Sequence, residues 1–491
     1  MSAPSSALRW RINGLGAIIL AVHLSLAVLS YFQAAALWNA AEFPRAGAFF
    51  EGLGSQSAAI TADPSTWLAA ARLFTDNASV MLSQGIPLAI ATIAAAVLIL
   101  MLIRGGDAVD ASIARLLFRW SLAFAAASFF AFPLFTQDFW LSAAWGRMVA
   151  AGVNPFHTLF TADDLVGLPL DHFPMTMSYG PLWAVLSALI ALIAFNNAIA
   201  MALLFKGVIA AAWIWALALI DRLQQDKSPC ERCLAIALFG WVPLGVSQSI
   251  AEGHNDIVMI APALLWFLLL LRRHPAAPLA LTVSALCKFV TAPLFVIDLI
   301  QAFRGERLTP LRYLQRMLLP GLIGIGLVAL FFRSPSFFDG LRLVSEWHFL
   351  RPSEVISGAE QLIGIPLWPL HLMTLAAFPV VAVFWLAASV RDASVENLTK
   401  ATVALVAAIM FTAASHVWPW YLVWGVAFGA LLPGWWVSRF VTGVALLIPF
   451  TLATWWVPAL EPLRDSAALA IYGGAVLWVY LTRERPTAAN Q

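Results

Sequence analysis

Apolar runs close to the length of a membrane span recur from one end of the chain to the other. An α-helix needs roughly 20 mainly apolar residues to cross a bilayer, and with two shorter apolar segments we expect about 12–14 membrane segments. The pattern predicts spans at 13–36, 85–104, 113–135, 198–220, 233–250, 256–271, 317–332, 366–388, 400–416, 418–434, 440–457 and 466–482. It therefore predicts an all-α polytopic membrane protein.

Two apolar segments interrupt this alternation. The run at 181–195 looks like a span, but a full crossing would place the charged loop 221–233 outside, so we predict an interfacial or re-entrant helix. The run around Lys288 predicts two half-helices, about 277–287 and 289–303, that meet at this lysine. At 1.5 Å per residue they would be roughly 16 and 22 Å long, short of a hydrocarbon core of about 30 Å. Such broken helices are tolerated where they line a cavity or pack within protein.

Composition supports the membrane interpretation, and charge orients the chain. Of the 491 residues, 62% are hydrophobic and 11% are charged, against roughly 25% charged in soluble domains. With both termini cytoplasmic, most of the 28 Lys and Arg residues fall on the inner side, as the positive-inside rule requires. Large outer loops then cover 136–180 and 333–365. We expect a bacterial inner membrane protein in contact with membrane lipids, and the net charge of +2 gives no sign of a nucleic-acid partner.

Asp138 is the most informative acidic residue, because it follows "FPLFTQ" where a predicted span leaves the membrane. It could cap an amphipathic surface helix over 139–151. A carboxylate at the edge of a low-dielectric region is also a candidate general base, since poor solvation raises its proton affinity. The two roles are compatible.

Two lysines, Lys206 and Lys288, fall within predicted membrane segments. Burying a lysine at the bilayer centre costs roughly 2.5–3.5 kcal/mol on insertion scales, so such charges indicate function by default. Each could instead reach the interface or pair with a carboxylate. Their similar depth favours one shared anionic ligand, such as a phosphate at the bilayer surface. Arg342 and Arg351 in the late outer loop could help to neutralise that phosphate or could be surface charges.

Further polar and aromatic candidates stand at the outer ends of predicted spans, in "AGVNPF", "MSYGPLW", "AEGHNDIVM" and "SHVWPWYLVW". Turn formation and helix capping by Asn255 or Asp256 would explain some of them, and an aromatic belt would explain most of the last group. Our candidates for substrate binding are Asn154, Tyr179, Glu252, His254, Asp256, His348, His416, Trp418 and Trp420.

The sequence carries weak signals for metal binding. Neither HExxH nor another established ligand spacing occurs, and Cys230 and Cys233 form a single CxxC without a second pair. Asp163 and Asp164 are adjacent acids of a kind that is usually solvated. We therefore expect no metal and no other cofactor.

Taken in chain order, these motifs resemble the GT-C superfamily of membrane glycosyltransferases. The motifs are the exit Asp138, "GVNPF", "YGPL", "GHND", the lysine of "CKFVTAPL", and "PWYLVW". The chain is most similar to bacterial mannosyltransferases that use polyprenol-phosphate-mannose, and also to the mannosyltransferase that starts the GPI-anchor core. The resemblance covers about 113–434, so 1–112 would be an added N-terminal pair of spans with its outer loop and 113–491 the catalytic transmembrane domain.

The resemblance implies inverting transfer of a hexose, expected to be mannose, from a polyprenyl-phosphate donor to a lipid-linked or glycan hydroxyl at the extracytoplasmic face. It implies that Asp138 is the catalytic base, that Tyr179 to Leu182 shape the acceptor side, and that Lys206 and Lys288 lie near the donor phosphate. Some relatives carry a DxD-like pair where this chain reads "FTQDFW", a departure that also argues against a metal.

Two other functions fit a membrane protein of this kind. A transporter or flippase of lipid-linked sugars would favour internal repeats, and none is evident in the sequence. A ligase that moves whole glycans would use a late outer loop rich in Arg and His, which Arg342, His348 and Arg351 would supply.

Overall fold

The computed structural model describes residues 3–37, 77–106, 109–134, 136–169, 175–345, 351–414, 416–451 and 458–483. Within these ranges the chain forms helices joined by short connections, and no β-strand occurs in them. The all-α prediction is confirmed.

The helices run in chain order as α1 (Ala3–Leu37), α2 (Asn77–Gly105), α3 (Ala111–Phe129), α4 (Asp138–Ala150), α5 (Pro181–Ile193), α6 (Ala198–Leu223), α7 (Pro229–Gly240), α8 (Asp256–Leu271), α9 (Ala277–Cys287), α10 (Phe295–Ile300), α11 (Pro310–Phe331), α12 (Asp339–Ser345), α13 (Pro352–Ile363), α14 (Trp368–Arg391), α15 (Val395–Ala408), α16 (Leu422–Gly429), α17 (Trp436–Leu447) and α18 (Arg464–Thr482). Short 3₁₀, α or π turns cover Asp163–Leu165, Pro243–Val246, Ser247–Ala251, Phe289–Leu294, Gln301–Gly305, Pro335–Phe338, Ile409–Ala413, Pro419–Tyr421, Ile448–Thr451 and Pro458–Leu463.

Six of the described helices are long and apolar enough to cross a membrane, namely α1, α2, α6, α11, α14 and α15 with its π turn. A bent pair, α7 with 243–251, turns by 51° and would make a seventh. The 12–14 segments predicted exceed this number, because other apolar runs fold into shorter helices. For example, α8 and α16 have 16 and 8 residues, and at 1.5 Å per residue neither spans a core of about 30 Å. The chain is a polytopic membrane protein with many short, buried helices.

Helices α4 and α5 pack closely on each other inside this bundle. Every residue of α4 from Phe139 to Met148 is buried, so the amphipathic surface helix predicted here is wrong. The indole of Trp183 on α5 donates to Ser142 Oγ at 3.0 Å and ties the two helices together. Because α5 has 13 residues, it is too short to cross the membrane, as predicted.

The predicted break at Lys288 is confirmed. Helix α9 ends at Cys287, Lys288 is extended with φ −156° and ψ 123°, and a 3₁₀ turn follows before α10. An extended residue between two helical segments turns its side chain away from both axes. The break therefore presents one ammonium group at a single point inside the bundle.

Candidate functional site

A cavity of about 400 Å³ lies where α4, the break at Lys288 and the segment after α15 meet. This volume is within the range of small-molecule sites. Its lining combines two charged side chains with many aromatic rings: Asp138, Trp145, Met175, Ser178, Tyr179, Lys288, Phe289, Val290, Leu341, Ile409, Ala413, Ala414, His416, Trp418, Trp420, Tyr421 and Trp424.

Gly180 explains why Tyr179 reaches this cavity. The Gly180 N–H donates to the carbonyl of Cys287 at 2.9 Å, so the chain passes directly against the end of α9. A Cβ atom at this position would lie 2.0 Å from the carbonyl oxygen of Leu286. Only glycine permits this approach, and it places the Tyr179 ring 5.3 Å from the Lys288 ammonium.

Gly253 has the corresponding effect on His254. The residue adopts a φ of +76°, and a Cβ there would lie 2.3 Å from the ring of Phe139. This close packing against the start of α4 brings His254 Nδ1 to 3.5 Å from Asp138 Oδ2. Two glycines therefore assemble the site from chain segments far apart in sequence.

Asp138 is the first residue of α4, after Gln137 at the N-cap position. The predicted N-cap role of Asp138 is thus wrong. Its side chain is 28% exposed and opens onto the cavity. Burial raises the pKa of this carboxyl, but hydrogen bonds and charge from His254, together with Tyr179 and Lys288, outweigh burial and lower it. The expected gain in proton affinity is therefore not found, and Asp138 is ionised at neutral pH.

Lys288 occupies an aromatic cage closed by a carboxylate. Its Nζ lies 4.6 Å from the ring centroid of Tyr421 and 5.1 Å from that of Trp424, distances at which cation–π attraction operates. Asp256 Oδ1 accepts a hydrogen bond from Nζ at 2.7 Å and another from Trp424 Nε1 at 2.6 Å. Asp256 is 2% exposed and belongs to the first turn of α8. It therefore serves as the counter-ion of Lys288.

Tyr179 joins the acid and the cation. It hydrogen-bonds to Asp138, and its ring lies beside the Lys288 ammonium. Burial, together with the charges of Asp138 and Asp256, raises the pKa of its hydroxyl well above the ordinary value. Tyr179 is thus a neutral donor between the two charged groups.

The aromatic segment 416–424 forms a stack and not an open platform. Trp420 lies between His254 at 4.0 Å and Trp418 at 5.0 Å, with interplanar angles of 17° and 6°. Both faces of Trp420 are therefore covered, and its effect is to hold the His254 ring against Asp138. His416 Nε2 lies 3.0 Å from the hydroxyl of Tyr421, which fixes one wall of the Lys288 cage.

Lys206 and Glu252 lie near the site, but they are not among the described residues that line its cavity. Lys206 Nζ donates to the carbonyls of Ala131, Ile250 and Ala251 at 2.5, 2.9 and 2.7 Å. These three bonds match the three N–H donors of an ammonium group. In contrast to the expectation of one shared anion, the structure does not bring Lys206 to this cavity with Lys288. Glu252 Oε2 accepts from the N–H of Leu134 at 2.9 Å.

The remaining predicted site residues occupy other places. Asn154 Nδ2 donates to the carbonyl of Phe331 at 2.7 Å and fastens the outer loop to the end of α11. Arg342 is on α12 beside the cavity-lining Leu341, and Arg351 is the N-cap residue of α13. His348 lies outside the described residues.

No group of three or more His, Cys, Asp or Glu that could hold a metal ion is found among the described residues. Asp164 Oδ2 accepts hydrogen bonds from the backbone N–H and the hydroxyl of Thr161. The side chain of this acid therefore stabilises the local turn of its own loop. The absence of a metal requirement stays a prediction.

Sequence reasoning left Tyr421, Trp424 and Trp145 out of the predicted site residues, although Tyr421 and Trp424 belong to the aromatic group at 415–424. It treated Asp256 as a substrate contact or a helix cap. The signal was present in "PWYLVW", where Tyr421 and Trp424 are three residues apart and so share one face of a helical turn. Nothing in the sequence pairs Trp424 with Asp256, which is 168 residues earlier.

Comparison with known proteins gives one finding. A family model described as alpha-(1->6)-mannopyranosyltransferase, N-terminal domain, matches residues 45–303. This range includes Asp138, Tyr179, His254, Asp256 and Lys288. No curated protein matches the chain.

Proposed function

This chain belongs to the alpha-(1->6)-mannopyranosyltransferase family, and we propose that it moves mannose from a polyprenyl-phosphate donor to a hydroxyl of a lipid-linked or glycan acceptor. It is a mannosyltransferase of the membrane, in keeping with the GT-C resemblance of its motifs. The family description points to an α-(1→6) product. To form this α linkage with inversion, the enzyme would use a donor in which mannose is β-linked to the phosphate. The observation that carries the proposal is that Asp138 and Lys288 face one cavity.

The Lys288 side of the cavity suits the donor phosphate. The side chain is 14% exposed and lines the cavity, so the ammonium group can donate to an anion placed there. A leaving phosphate gains charge as the bond to the sugar breaks, and fixed donors in a water-poor site stabilise that charge. The lipid tail would remain among the apolar helices while its mannose enters the cavity.

The Asp138 side suits the acceptor. A hydroxyl is a weak nucleophile until a base takes its proton in the transition state. The ionised carboxylate of Asp138 opens onto the cavity and can accept this proton. A donor phosphate beside Lys288 offsets the positive charge that lowers the pKa of Asp138, so donor binding makes Asp138 a stronger base.

One carboxylate acting as base is sufficient for this reaction. A phosphate leaves as an anion without being protonated, whereas a glycosidase needs a second carboxyl to protonate its leaving group. Attack at the anomeric carbon from the Asp138 side, with departure toward Lys288, gives inversion. The distribution of Lys and Arg supports an extracytoplasmic site for this chemistry.

Purified protein incubated with radiolabelled polyprenyl-phospho-mannose and membrane lipid extract tests the proposal. We expect the wild type to add single mannose units and Asp138→Asn to bind the donor but not to transfer. Asp164→Asn, in the same outer loop but outside the cavity, is the matched control and should retain activity. Transfer that is unaffected by Asp138→Asn would refute the base assignment, and transfer of whole glycans only would indicate a ligase.

A further inference from the structure

One carboxylate oxygen accepts hydrogen bonds from two residues that line the cavity, Lys288 and Trp424. Asp256 Oδ1 is 2.7 Å from Lys288 Nζ and 2.6 Å from Trp424 Nε1. Asp256 and Trp424 are 2% and 3% exposed. The second oxygen, Asp256 Oδ2, is buried and has no hydrogen-bond partner among the described residues. The Trp424 N–H and the Lys288 ammonium group therefore share the same oxygen of Asp256.

We propose that Trp424 is a positioning residue that fixes the ammonium group of Lys288 for the donor phosphate, acting through Asp256. This inference rests on the proposed function. A lysine side chain has a flexible four-carbon stem and three donors that rotate freely. Its direction must therefore be set by partners that do not themselves move.

The rest of the cage holds Trp424 in place. Its ring stacks on Tyr421 at 4.3 Å with an interplanar angle of 26°, and the Tyr421 hydroxyl pairs with His416. The indole cannot turn its N–H away from Asp256 without breaking this stack. The order of action is therefore Trp424 on Asp256, Asp256 on Lys288, and Lys288 on the phosphate.

Trp424→Phe tests the N–H while it retains an aromatic ring beside Lys288 and Tyr421. We expect about a tenfold rise in the KM for polyprenyl-phospho-mannose, equal to about 1.4 kcal/mol, and the same rise in the inhibition constant of polyprenyl phosphate without its sugar. The KM for the acceptor should not change. A purely structural role would not single out the phosphate ligand.

Trp266→Phe is the matched control. Trp266 Nε1 donates to Asp298 Oδ1 at 2.9 Å, so this variant also removes a buried bond from an indole to a carboxylate, but outside the cavity. Equal donor KM values for the two variants would overturn the proposal. The benzothienyl analogue of tryptophan at position 424, which replaces N–H by sulfur in a ring of similar shape, gives the same test if phenylalanine prevents folding.

A double-mutant cycle shows whether Trp424 acts through Asp256. We expect Trp424→Phe to have no further effect on donor KM in an Asp256→Ala protein, which has no side-chain oxygen to accept from Trp424, and additive effects would contradict the proposed order of action. Lys288→Met separates this inference from the proposed function. If Lys288→Met keeps the wild-type donor KM, the phosphate assignment itself fails. If Lys288→Met loses the donor while Trp424→Phe behaves as wild type, only the positioning role fails.

Discussion

Replacing Lys288 with methionine removes the cation from a buried ion pair and leaves the anion behind. Methionine has an unbranched stem of similar length, so the change is mainly one of charge. Asp256 would keep the Trp424 N–H as a donor but would lose its counter-ion at 2.7 Å. Because Asp256 is 2% exposed, little water can replace the missing partner.

The structure sets the expected size of this effect. Removing one partner of a buried ion pair costs about 3–5 kcal/mol, because it leaves an uncompensated buried charge. Replacing both partners by neutral residues is often close to neutral in stability. Lys288→Met combined with Asp256→Asn should therefore regain most of the lost stability, since asparagine retains an oxygen that can accept from Trp424.

Thermal unfolding in detergent and donor binding, measured on the same preparations, separate stability from function. We expect Lys288→Met to unfold at a much lower temperature, the double variant to unfold near the wild type, and neither to bind the donor. Lys400→Met, which removes the cation of a solvent-exposed pair with Glu396, should have little effect on either measurement. A double variant as unstable as Lys288→Met would refute the buried-charge argument, and one that binds donor normally would refute the phosphate role of Lys288.

Three further outcomes follow from the same geometry. His254 lowers the pKa of Asp138, and a protonated Asp138 cannot take the acceptor proton. The acid limb of the kcat/KM profile should therefore lie below the ordinary Asp range and move to higher pH in His254→Gln. An unmoved limb would show that another group controls it. Gly253 has a positive φ, and Gly253→Ala introduces a Cβ 2.3 Å from an aromatic ring. This change should cost about 2–5 kcal/mol of unfolding free energy and most of the activity. Gly321→Ala, with no described atom within 4 Å of its Cβ, is the control, and equal unfolding temperatures would contradict the packing argument. Lys206→Met leaves three carbonyls without their donor, two of them in buried hydrogen bonds. It should lower stability by several kcal/mol, at about 1–3 kcal/mol per unsatisfied buried group, while the folded fraction keeps its donor KM. A large rise in that KM would return Lys206 to the phosphate site.

The helical architecture could be predicted because hydrophobicity and charge act locally. The break at Lys288 followed from the arginines after it, which the charge rule keeps on the inner side, and the short α5 followed from the same argument. The length of individual helices could not be predicted this way. Burial of α4 depends on tertiary packing against α5, and an apolar run does not show whether it will face lipid or protein.

The site was predicted in part, because some of its residues bear charges that are costly in a membrane. Lys288 was identified for that reason, and Asp138 and His254 were identified because they stand at the outer ends of predicted spans. The structure brings the three side chains to one place. Lys206 was identified by the same argument, yet its charge is used to bind backbone carbonyls at the end of the turn Ser247–Ala251. The cost of burying a charge is therefore evidence of a partner, and only the fold shows whether that partner is a ligand or the protein itself.

The two aspartates of the site show how environment separates roles that the sequence leaves equal. Each stands at the start of a helix, Asp138 on α4 and Asp256 on α8, and each could have been base, cap or counter-ion. Asp256 is closed off by Lys288 and Trp424, so its charge is already neutralised before any ligand arrives. Asp138 has a histidine at 3.5 Å and an opening to the cavity, so its charge is exposed to whatever binds there. An anion that binds Lys288 would offset the positive charge of the ammonium group, which Asp256 keeps in place, and so weaken the effect of that charge on the pKa of Asp138. Under the proposed function, donor binding and the base strength of Asp138 are therefore coupled through one lysine, and Asp138 should take up the acceptor proton most readily when the phosphate is already in place.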